Sequence, residues 1–188
     1  MKHLAAVLLL CCSIVSAQDR PVSGAHEVVF WTSGGRGTTG STASNGILSA
    51  GLRYGWVITN PHGPGPLRGT FEYAVDAVPL YVIFQSQNAY GAGVNPVVLK
   101  WNFDRGGRVA PYLELNGGSL FTTKEVPLGT SHVNFTSGAA FGLQFLGHRW
   151  NPALALRYVH ISSAGLSDPN PGINTVQFTL ALVRFSRH

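Results

Sequence analysis

The chain has 188 residues, of which 45% are hydrophobic and only 11% are charged, with a formal net charge of +5. Soluble domains carry about a quarter charged residues, so a water-exposed surface is not expected from this composition. No run of 18 or more apolar residues occurs, which excludes a protein that crosses a membrane with helices. The length and the 23 unrepeated glycines favour one glycine-rich β domain and exclude collagen.

The first 17 residues have the pattern of a secretory signal peptide. A short basic start precedes an apolar core, Leu4–Val15, which is too short to span a bilayer, and Val15-Ser16-Ala17 is typical of a cleavage site. The mature chain is therefore expected to begin at Gln18 and to form a single domain over residues 18–188. Both cysteines of the chain lie in the signal, so no disulfide and no cysteine-bound metal is expected in the mature protein.

The charge of the mature chain is small and scattered. Removal of the signal leaves 12 basic and 8 acidic residues, a net charge of +4, without any basic run. Nucleic acid is therefore not an expected partner, whereas a mild attraction to anionic lipid head groups is.

Clusters of glycine, proline and polar residues divide the mature chain into eight segments in which apolar residues recur with a period of two. We predict β-strands near 26–33, 46–59, 69–84, 95–103, 108–122, 133–146, 150–162 and 173–185. The predicted connections are Gly34–Asn45, Asn60–Arg68, Gln85–Val94, Asp104–Gly107, Thr123–His132, Gly147–Arg149 and Ser163–Gly172.

The alternation gives each strand one large apolar face and one small, sparsely charged face. The residues expected on the apolar face include Leu52, Tyr54, Ile58, Phe71, Tyr73, Tyr81, Leu99, Phe135, Phe141, Leu156 and Phe178. The opposite face carries mainly small residues and a few charges. It would coat a soluble protein poorly, but it suits the interior of an eight-stranded barrel, which is just wide enough for side chains.

The fold that these faces favour is all-β, an eight-stranded antiparallel transmembrane β-barrel of the bacterial outer membrane. Closure of the barrel pairs every backbone group, and the apolar face becomes the lipid-facing band. The residues expected to pair inside the barrel are Arg53, Lys100 and Arg157 with Glu72, Asp76 and Glu114, and those expected in the aromatic girdles are Trp56, Trp101, Trp150 and Tyr158. A soluble, lipocalin-like ligand carrier is the alternative.

The last predicted hairpin places polar residues on the lipid-facing side. His160 and Ser162 continue the apolar face of the seventh strand, and Asn174 begins that of the eighth. If Ser162 pairs with Gly172, His160 lies opposite Asn174. We then expect the Ser162 hydroxyl near one nitrogen of the His160 ring and the Asn174 amide at the other, an arrangement suited to acyl transfer. The alternative is that these residues lie at the head-group boundary and bind only water.

The segment Arg157–Asn174, which reads RYVHISSAGLSDPNPGIN, resembles the signature of the outer-membrane lipid A 3-O-deacylase (PagL) family. Ala110–Gly118 also resembles the fifth strand of that family. The resemblance covers residues 155–185 and 108–150, and it implies a barrel whose catalytic site lies on its membrane-facing outside. The implied reaction is hydrolysis of the ester-linked 3-hydroxyacyl chain at position 3 of lipid A by a serine esterase, without a metal or another cofactor.

By this resemblance, Ser162 is the nucleophile, His160 is the general base, and Asn174 stands where the family has an orienting Glu. The resemblance assigns the oxyanion site to Asn170 and to the backbone N–H groups near Ser163, Ala164 and Gly165. The family usually has Asn at the position of Ser163, which is a second departure. The implied partners are lipid A or lipopolysaccharide of the outer leaflet and the surrounding membrane lipids, for a monomer or homodimer.

The Asn at the acid position leaves two functions open. A neutral amide oxygen can accept a hydrogen bond from the imidazole, but it stabilises the imidazolium less than a carboxylate does. The chain is therefore either a hydrolase of reduced activity or an inactive lipid-binding or structural barrel of the same family. Asp168 could supply a carboxylate from the last loop, although an Asp before Pro is also typical of a turn.

Overall fold

The structure, a computed structural model, describes Ala17, Gln18 and residues 20–186, so the predicted signal peptide lies almost wholly outside it. Eight strands form a closed antiparallel barrel. They are β1 (His26–Gly37), β2 (Gly46–Val57), β3 (Gly69–Phe84), β4 (Ala89–Phe103), β5 (Val109–Thr122), β6 (Val133–Phe145), β7 (Asn151–Ser162) and β8 (Ile173–Ser186). All eight predicted strands are thereby confirmed.

Each strand pairs with its neighbour in sequence, and β8 pairs with β1 to close the barrel. A path that passes from each residue to its direct partner on the next strand starts at Arg36 on β1 and runs once around the barrel. It returns to β1 at His26. One circuit is therefore displaced by ten residues, which means that the strands tilt strongly against the barrel axis. A two-residue strand, Ala17–Gln18, adds to the periplasmic end of β8.

Two of the predicted connections are shorter in the structure. β1 continues to Gly37, and β4 begins at Ala89, so that residues 85–88 alone join β3 to β4. The glycines near residues 34–37 and 91–93 are typical of loops in a sequence, but here their backbone groups are paired in the ladders with the neighbouring strands. The other connections lie within a few residues of their predicted bounds.

The expected outward orientation of Tyr81 is wrong, because β3 contains a bulge. Val78 pairs with Gly93 and Tyr81 pairs with Gly91, so β3 has one extra residue between these pairs. Pro79, which has no N–H to donate to the ladder, lies in the bulge. The extra residue reverses the alternation, and Tyr81 points into the barrel, where it is 6% exposed.

Charged side chains inside the barrel form two buried clusters. Arg53 binds Asp76 through Nε at 2.7 Å and Glu114 through Nη1 at 2.5 Å, and Arg157 Nη2 donates to Glu114 at 3.0 Å. The predicted internal pairing is confirmed for these residues.

The second cluster is centred on Lys100. Its ammonium group binds Glu27 and lies 3.5 Å from Glu72. Glu27, whose pairing was not predicted from the sequence, is fully buried on the inward face of β1. The lumen is therefore filled with side chains, among them these ion pairs, as expected for a narrow barrel.

The outer wall carries an apolar band. Large apolar side chains such as Phe30, Leu52, Leu115, Leu156 and Phe178 are roughly half exposed there. No helix in the described part of the chain is long and apolar enough to cross a membrane.

Aromatic side chains cluster at the periplasmic end of this band. Trp56 stacks on Tyr73 with ring centroids 5.9 Å apart, and Trp101 contacts His62 at 4.9 Å. Tyr158, which was also expected in a girdle, lies in the extracellular half of β7, where its hydroxyl donates to Asn174 Oδ1.

Candidate active site

The pairing of β7 with β8 brings His160 and Asn174 together. The two residues are direct cross-strand partners, as the sequence predicts. Their inward-facing neighbours Val159, Ile161 and Thr175 are buried, whereas His160 and Asn174 are half-buried on the outer wall. Ser162, two residues beyond His160 and the last residue of β7, faces the same side. The alternation of β7 therefore places a serine and a histidine on the outside of the barrel, near its extracellular end.

The His160 ring is held by the side-chain amide of Asn174. His160 Nδ1 and Asn174 Oδ1 are 2.8 Å apart. Because a carbonyl oxygen can only accept, Nδ1 is the protonated nitrogen of the neutral ring, and Nε2 is left as an acceptor. The same Asn174 oxygen also accepts from the Tyr158 hydroxyl at 2.6 Å, and Asn174 Nδ2 donates to Thr39 Oγ1 at 3.4 Å. The amide is thus oriented with its oxygen toward the imidazole.

Gly172 gives the His160 ring the space that it occupies. A Cβ at Gly172 would lie 2.9 Å from His160 Cε1 and 3.5 Å from the Ser162 Cβ, so the ring and the serine flank the same point. Gly172 also has a φ of +63°, a conformation that favours glycine. This residue therefore serves both the turn into β8 and the packing of the site.

The Ser162 hydroxyl differs from the expectation. Among the described residues it forms no hydrogen bond, neither with His160 nor with another group, although the serine lies next to the ring. Ser162 is the last residue of β7, and no described residue holds its hydroxyl in one rotamer by a hydrogen bond. Rotation about χ1 is therefore open to it, and serine–base distances in ligand-free sites are commonly longer than during reaction.

The loop that follows Ser162 begins with a tight turn. Leu166 N–H donates to Ser163 O at 3.0 Å, and the two central residues, Ala164 and Gly165, have φ values of +52° and +86°. Ala164 is the only non-glycine residue with positive φ in the described chain, which marks a strained position beside the serine. The N–H groups of Ala164 and Gly165 have no hydrogen-bond partner among the described residues.

The side chain of Asn170 holds this loop closed by a hydrogen bond to its first residue, Ser163. Its Oδ1 accepts from Ser163 N–H at 3.2 Å, and Ser163 Oγ contacts Ser167 Oγ at 3.0 Å. The Ser163 N–H is therefore already bound, and the donors that remain free in the proposed oxyanion region are the N–H groups of Ala164 and Gly165 and the Asn170 Nδ2. Asp168 is exposed in the loop, and the residue hydrogen-bonded to His160 Nδ1 is Asn174.

An apolar groove of about 730 Å³ on the outer wall begins beside these polar residues. Tyr158 and Val176, the outward neighbours of His160 and Asn174, form its edge, and Ala139 forms a low point between Tyr158 and Leu115. The groove can hold a hydrocarbon chain that extends along the outer wall from Tyr158 and Val176. No group of three or more His, Cys, Asp or Glu residues in the described ranges is arranged to bind a metal ion.

Comparisons with known proteins agree with this geometry. The family model described as "Lipid A 3-O-deacylase (PagL)" matches residues 46–183, which is more than half of the chain. None of the curated proteins matches the chain in sequence.

Two solved structures share the fold at identities too low to show more than that. The crystal structure of the outer membrane enzyme PagL has a TM-score of 0.62 and 18% identity, over 81% of this chain and 97% of its own. That of Neisserial surface protein A (NspA) has a TM-score of 0.56 and 16% identity, over 87% and 99%. The resemblance drawn from the sequence is thereby confirmed, and the chain belongs to the lipid A 3-O-deacylase (PagL) family of barrels in the bacterial outer membrane.

Proposed function

We propose that this protein is a serine esterase that removes the ester-linked 3-hydroxyacyl chain at position 3 of lipid A. The observation that carries the proposal is the contact between His160 Nδ1 and Asn174 Oδ1 at 2.8 Å on the membrane-facing wall, beside Ser162. Polar groups that face lipid are costly and are usually retained for a function.

The reaction follows from the protonation state that Asn174 imposes. Nε2 of His160 accepts the proton of Ser162 Oγ while Oγ attacks the ester carbonyl carbon. The negative charge that develops on the carbonyl oxygen is stabilised by the free N–H groups of Ala164 and Gly165 and by the Asn170 amide. His160 then gives the proton to the departing sugar oxygen, and an acyl group remains on Ser162.

A water molecule completes the cycle. His160 takes a proton from water, the resulting nucleophile attacks the acyl-serine, and the proton returns to Ser162 Oγ as the 3-hydroxy fatty acid leaves. The apolar groove beside Tyr158 and Val176 would hold the acyl chain during both steps, so the substrate need not leave the bilayer.

The same residues favour a second candidate, an inactive lipid-binding barrel. The imidazole contacts a neutral amide instead of a carboxylate, and Ser162 is not hydrogen-bonded to the ring. In a serine protease, replacement of the orienting Asp by Asn lowers turnover about 10⁴-fold, mainly because the imidazole then adopts the wrong tautomer. Here the amide presents its oxygen, which preserves the correct tautomer, so we place the esterase first.

Mass spectrometry of lipid A from a Gram-negative host that expresses the protein tests the proposal. The wild-type protein is expected to produce a species lighter by one 3-hydroxyacyl chain, whereas Ser162→Ala and His160→Ala are expected to produce none. Ser137→Ala, on the outward face of β6 directly beside His160, is the matched control and is expected to retain activity. Unchanged lipid A with folded wild-type protein in the membrane would contradict the esterase and favour the lipid-binding barrel.

A further inference from the structure

The outer wall of the barrel is almost free of charge. Of the outward-facing strand residues that the structure describes, two carry a formal charge, Arg36 on β1 and Arg184 on β8. Arg184 lies at the periplasmic end, with its guanidinium 5.9 Å from the Trp150 ring. Arg36 is the second-last residue of β1, at the extracellular end. Among the described strand residues, Arg36 is therefore the one cation that faces outward in the half of the barrel that contains the proposed active site.

The guanidinium of Arg36 is open to a ligand. Arg36 is exposed, and its cross-strand partners are Val176 on β8 and Gly46 on β2. The preceding outward residue on β1 is Gly34, so two of the neighbouring positions have no side chain. No carboxylate or other hydrogen-bond partner of Arg36 is present among the residues from 20 to 186.

Arg36 lies close to the proposed catalytic residues. Its cross-strand partner Val176 is two residues from Asn174, which makes Arg36 and Asn174 diagonal neighbours, about 7–8 Å apart. Thr38, two residues after Arg36, donates its backbone N–H to Asn174 O at 2.8 Å. From Arg36 to Ser162 the path is two strands across and four residues along, about 16 Å between Cα atoms.

The tilt of the strands brings Arg36 and Ser162 to nearly the same depth in the membrane. The ladder descends by ten residues over eight strands, so two steps from β1 to β7 descend by roughly two and a half residues. These two steps lead from Arg36 through Val176 to Tyr158. Ser162 lies four residues above Tyr158 on the same strand, and this rise compensates for the descent. Ser162, His160, Asn174 and Arg36 thus follow one another along the membrane plane.

A cation in this position fits one chemistry. A guanidinium that faces lipid is unfavourable in the middle of the bilayer and is tolerated at the head-group layer. Guanidinium groups bind phosphate through two parallel hydrogen bonds. The lipid whose ester is proposed to reach Ser162 is a phosphorylated glucosamine disaccharide, so its ester and its phosphates lie at the depth shared by Ser162 and Arg36.

We propose that Arg36 binds a phosphate of the lipid A head group and thereby holds the sugar with its 3-acyl ester at Ser162. The proposal rests on the proposed function for the identity of the lipid. Arg36 is then a substrate-binding residue that lies on the far side of Asn174 from the serine. Its contribution is to the affinity for the phosphorylated substrate rather than to bond breaking.

Steady-state kinetics in neutral detergent micelles test this assignment. The substrates are bisphosphorylated lipid A and the same lipid A without both phosphates. Arg36→Gln is expected to raise KM for the bisphosphorylated lipid about 10- to 100-fold with little change in kcat, and to have no effect on the phosphate-free lipid. Arg184→Gln, the other outward arginine, is the matched control and is expected to leave KM unchanged on both lipids.

A binding measurement separates this proposal from the proposed function. In Ser162→Ala protein, which holds lipid without hydrolysing it, Arg36→Gln is expected to weaken binding of bisphosphorylated lipid A by the same factor as KM, with Arg36→Lys intermediate. Absence of turnover on both lipids would contradict the proposed esterase. The binding comparison would still test whether Arg36 contributes to the affinity for the phosphorylated lipid. An unchanged Kd, or an equal loss on the phosphate-free lipid, would overturn the role of Arg36.

Discussion

Tyr158 donates its hydroxyl, at 2.6 Å, to the same oxygen of Asn174 that lies 2.8 Å from His160 Nδ1. An amide, unlike a carboxylate, has two different ends, and only its oxygen can accept from the imidazole. Reversal of the Asn174 amide would place its NH₂ group against Nδ1 and would favour the opposite tautomer of the ring. The Tyr158 hydroxyl opposes this reversal, because its O–H would lose its acceptor and its oxygen could only accept from the NH₂ group instead.

Removal of the Tyr158 hydroxyl should therefore reduce turnover. Tyr158→Phe deletes one hydrogen bond to the amide oxygen, and we expect kcat to fall about 3- to 10-fold, as for the loss of a hydrogen bond of ordinary strength. Nitrogen-detected NMR of histidine-labelled protein, with His160→Ala for assignment, should show a smaller population of the Nδ1-protonated tautomer.

The control for this prediction is the same substitution in the Asn174→Glu background. A carboxylate has two equivalent oxygens and cannot be reversed, so Tyr158→Phe should change kcat less than about 2-fold there. An equal loss in both backgrounds, or an unchanged tautomer in Tyr158→Phe, would show that the hydroxyl acts only through packing.

Replacement of Asn174 by Glu should increase the activity. The carboxylate would stabilise the imidazolium that forms when Ser162 loses its proton. The neutral amide of Asn174 stabilises this positive charge less. We expect kcat to rise about 10-fold or more, with about 10⁴ as the upper bound indicated by serine proteases.

The matched variants for this test are Asn174→Ala, which is expected to lose activity below the wild-type level, and Asn174→Asp, whose shorter side chain is expected to give a smaller gain. Lipid A deacylation measured at equal amounts of folded protein decides the outcome. Wild-type activity above that of Asn174→Glu would mean that the amide is the better partner in this site.

Gly172 should tolerate no side chain. A Cβ there would lie 2.9 Å from His160 Cε1, and the φ of +63° adds backbone strain of about 1–3 kcal/mol. Gly172→Ala is expected to displace the imidazole from Ser162 and to abolish most of the turnover while the barrel still folds, because the affected contact lies on the outer wall.

Gly106→Ala separates the two effects of this substitution. Gly106 has nearly the same φ, +66°, but a Cβ there would meet no atom within 4 Å. Its backbone strain is therefore comparable, whereas its distance from the imidazole leaves activity unaffected. If both variants lost equal activity, the loss would reflect strain in the barrel and not the position of His160.

The alternation of side chains allowed most of the barrel to be predicted. The outward parity of His160, Ser162 and Asn174 follows directly from period-two patterns in β7 and β8, because their pairing has no bulge. The parity of Tyr81 could not be predicted, since the bulge at Pro79 arises from the meeting of three strands and not from β3 alone.

Other features of the site depend on pairing across the closed barrel. Arg36 stands in a glycine-rich stretch that has the sequence pattern of a loop, and only its pairing with Val176 places it beside the proposed catalytic residues. In the sequence, Tyr158 has the pattern of an interfacial aromatic. Its proposed role depends on the hydrogen bond of its hydroxyl to Asn174 on the next strand, which the pattern does not show. The identity of the pairs inside the lumen was predictable only in part, because Glu27 reaches Lys100 from the other side of the barrel.

Glu114 should be the most sensitive residue of the lumen for stability. It is 3% exposed and binds both Arg53, at 2.5 and 2.9 Å, and Arg157, at 3.0 Å. Glu114→Gln keeps the shape but leaves the Arg157 guanidinium without its carboxylate. Loss of one partner of a buried pair costs about 3–5 kcal/mol, and we expect a decrease of this size in the free energy of unfolding.

Urea unfolding in detergent or lipid, followed by tryptophan fluorescence, measures this change. Arg68→Gln is the control, because Arg68 and Asp104 form an exposed pair, 3.5 Å apart, with about half of the Arg68 side chain in solvent. Exposed pairs contribute about 0–1 kcal/mol, so Arg68→Gln should be nearly neutral. If Glu114→Gln were equally neutral, a water molecule or a rearranged Asp76 would have to satisfy the arginines, and the buried cluster would not hold the barrel together.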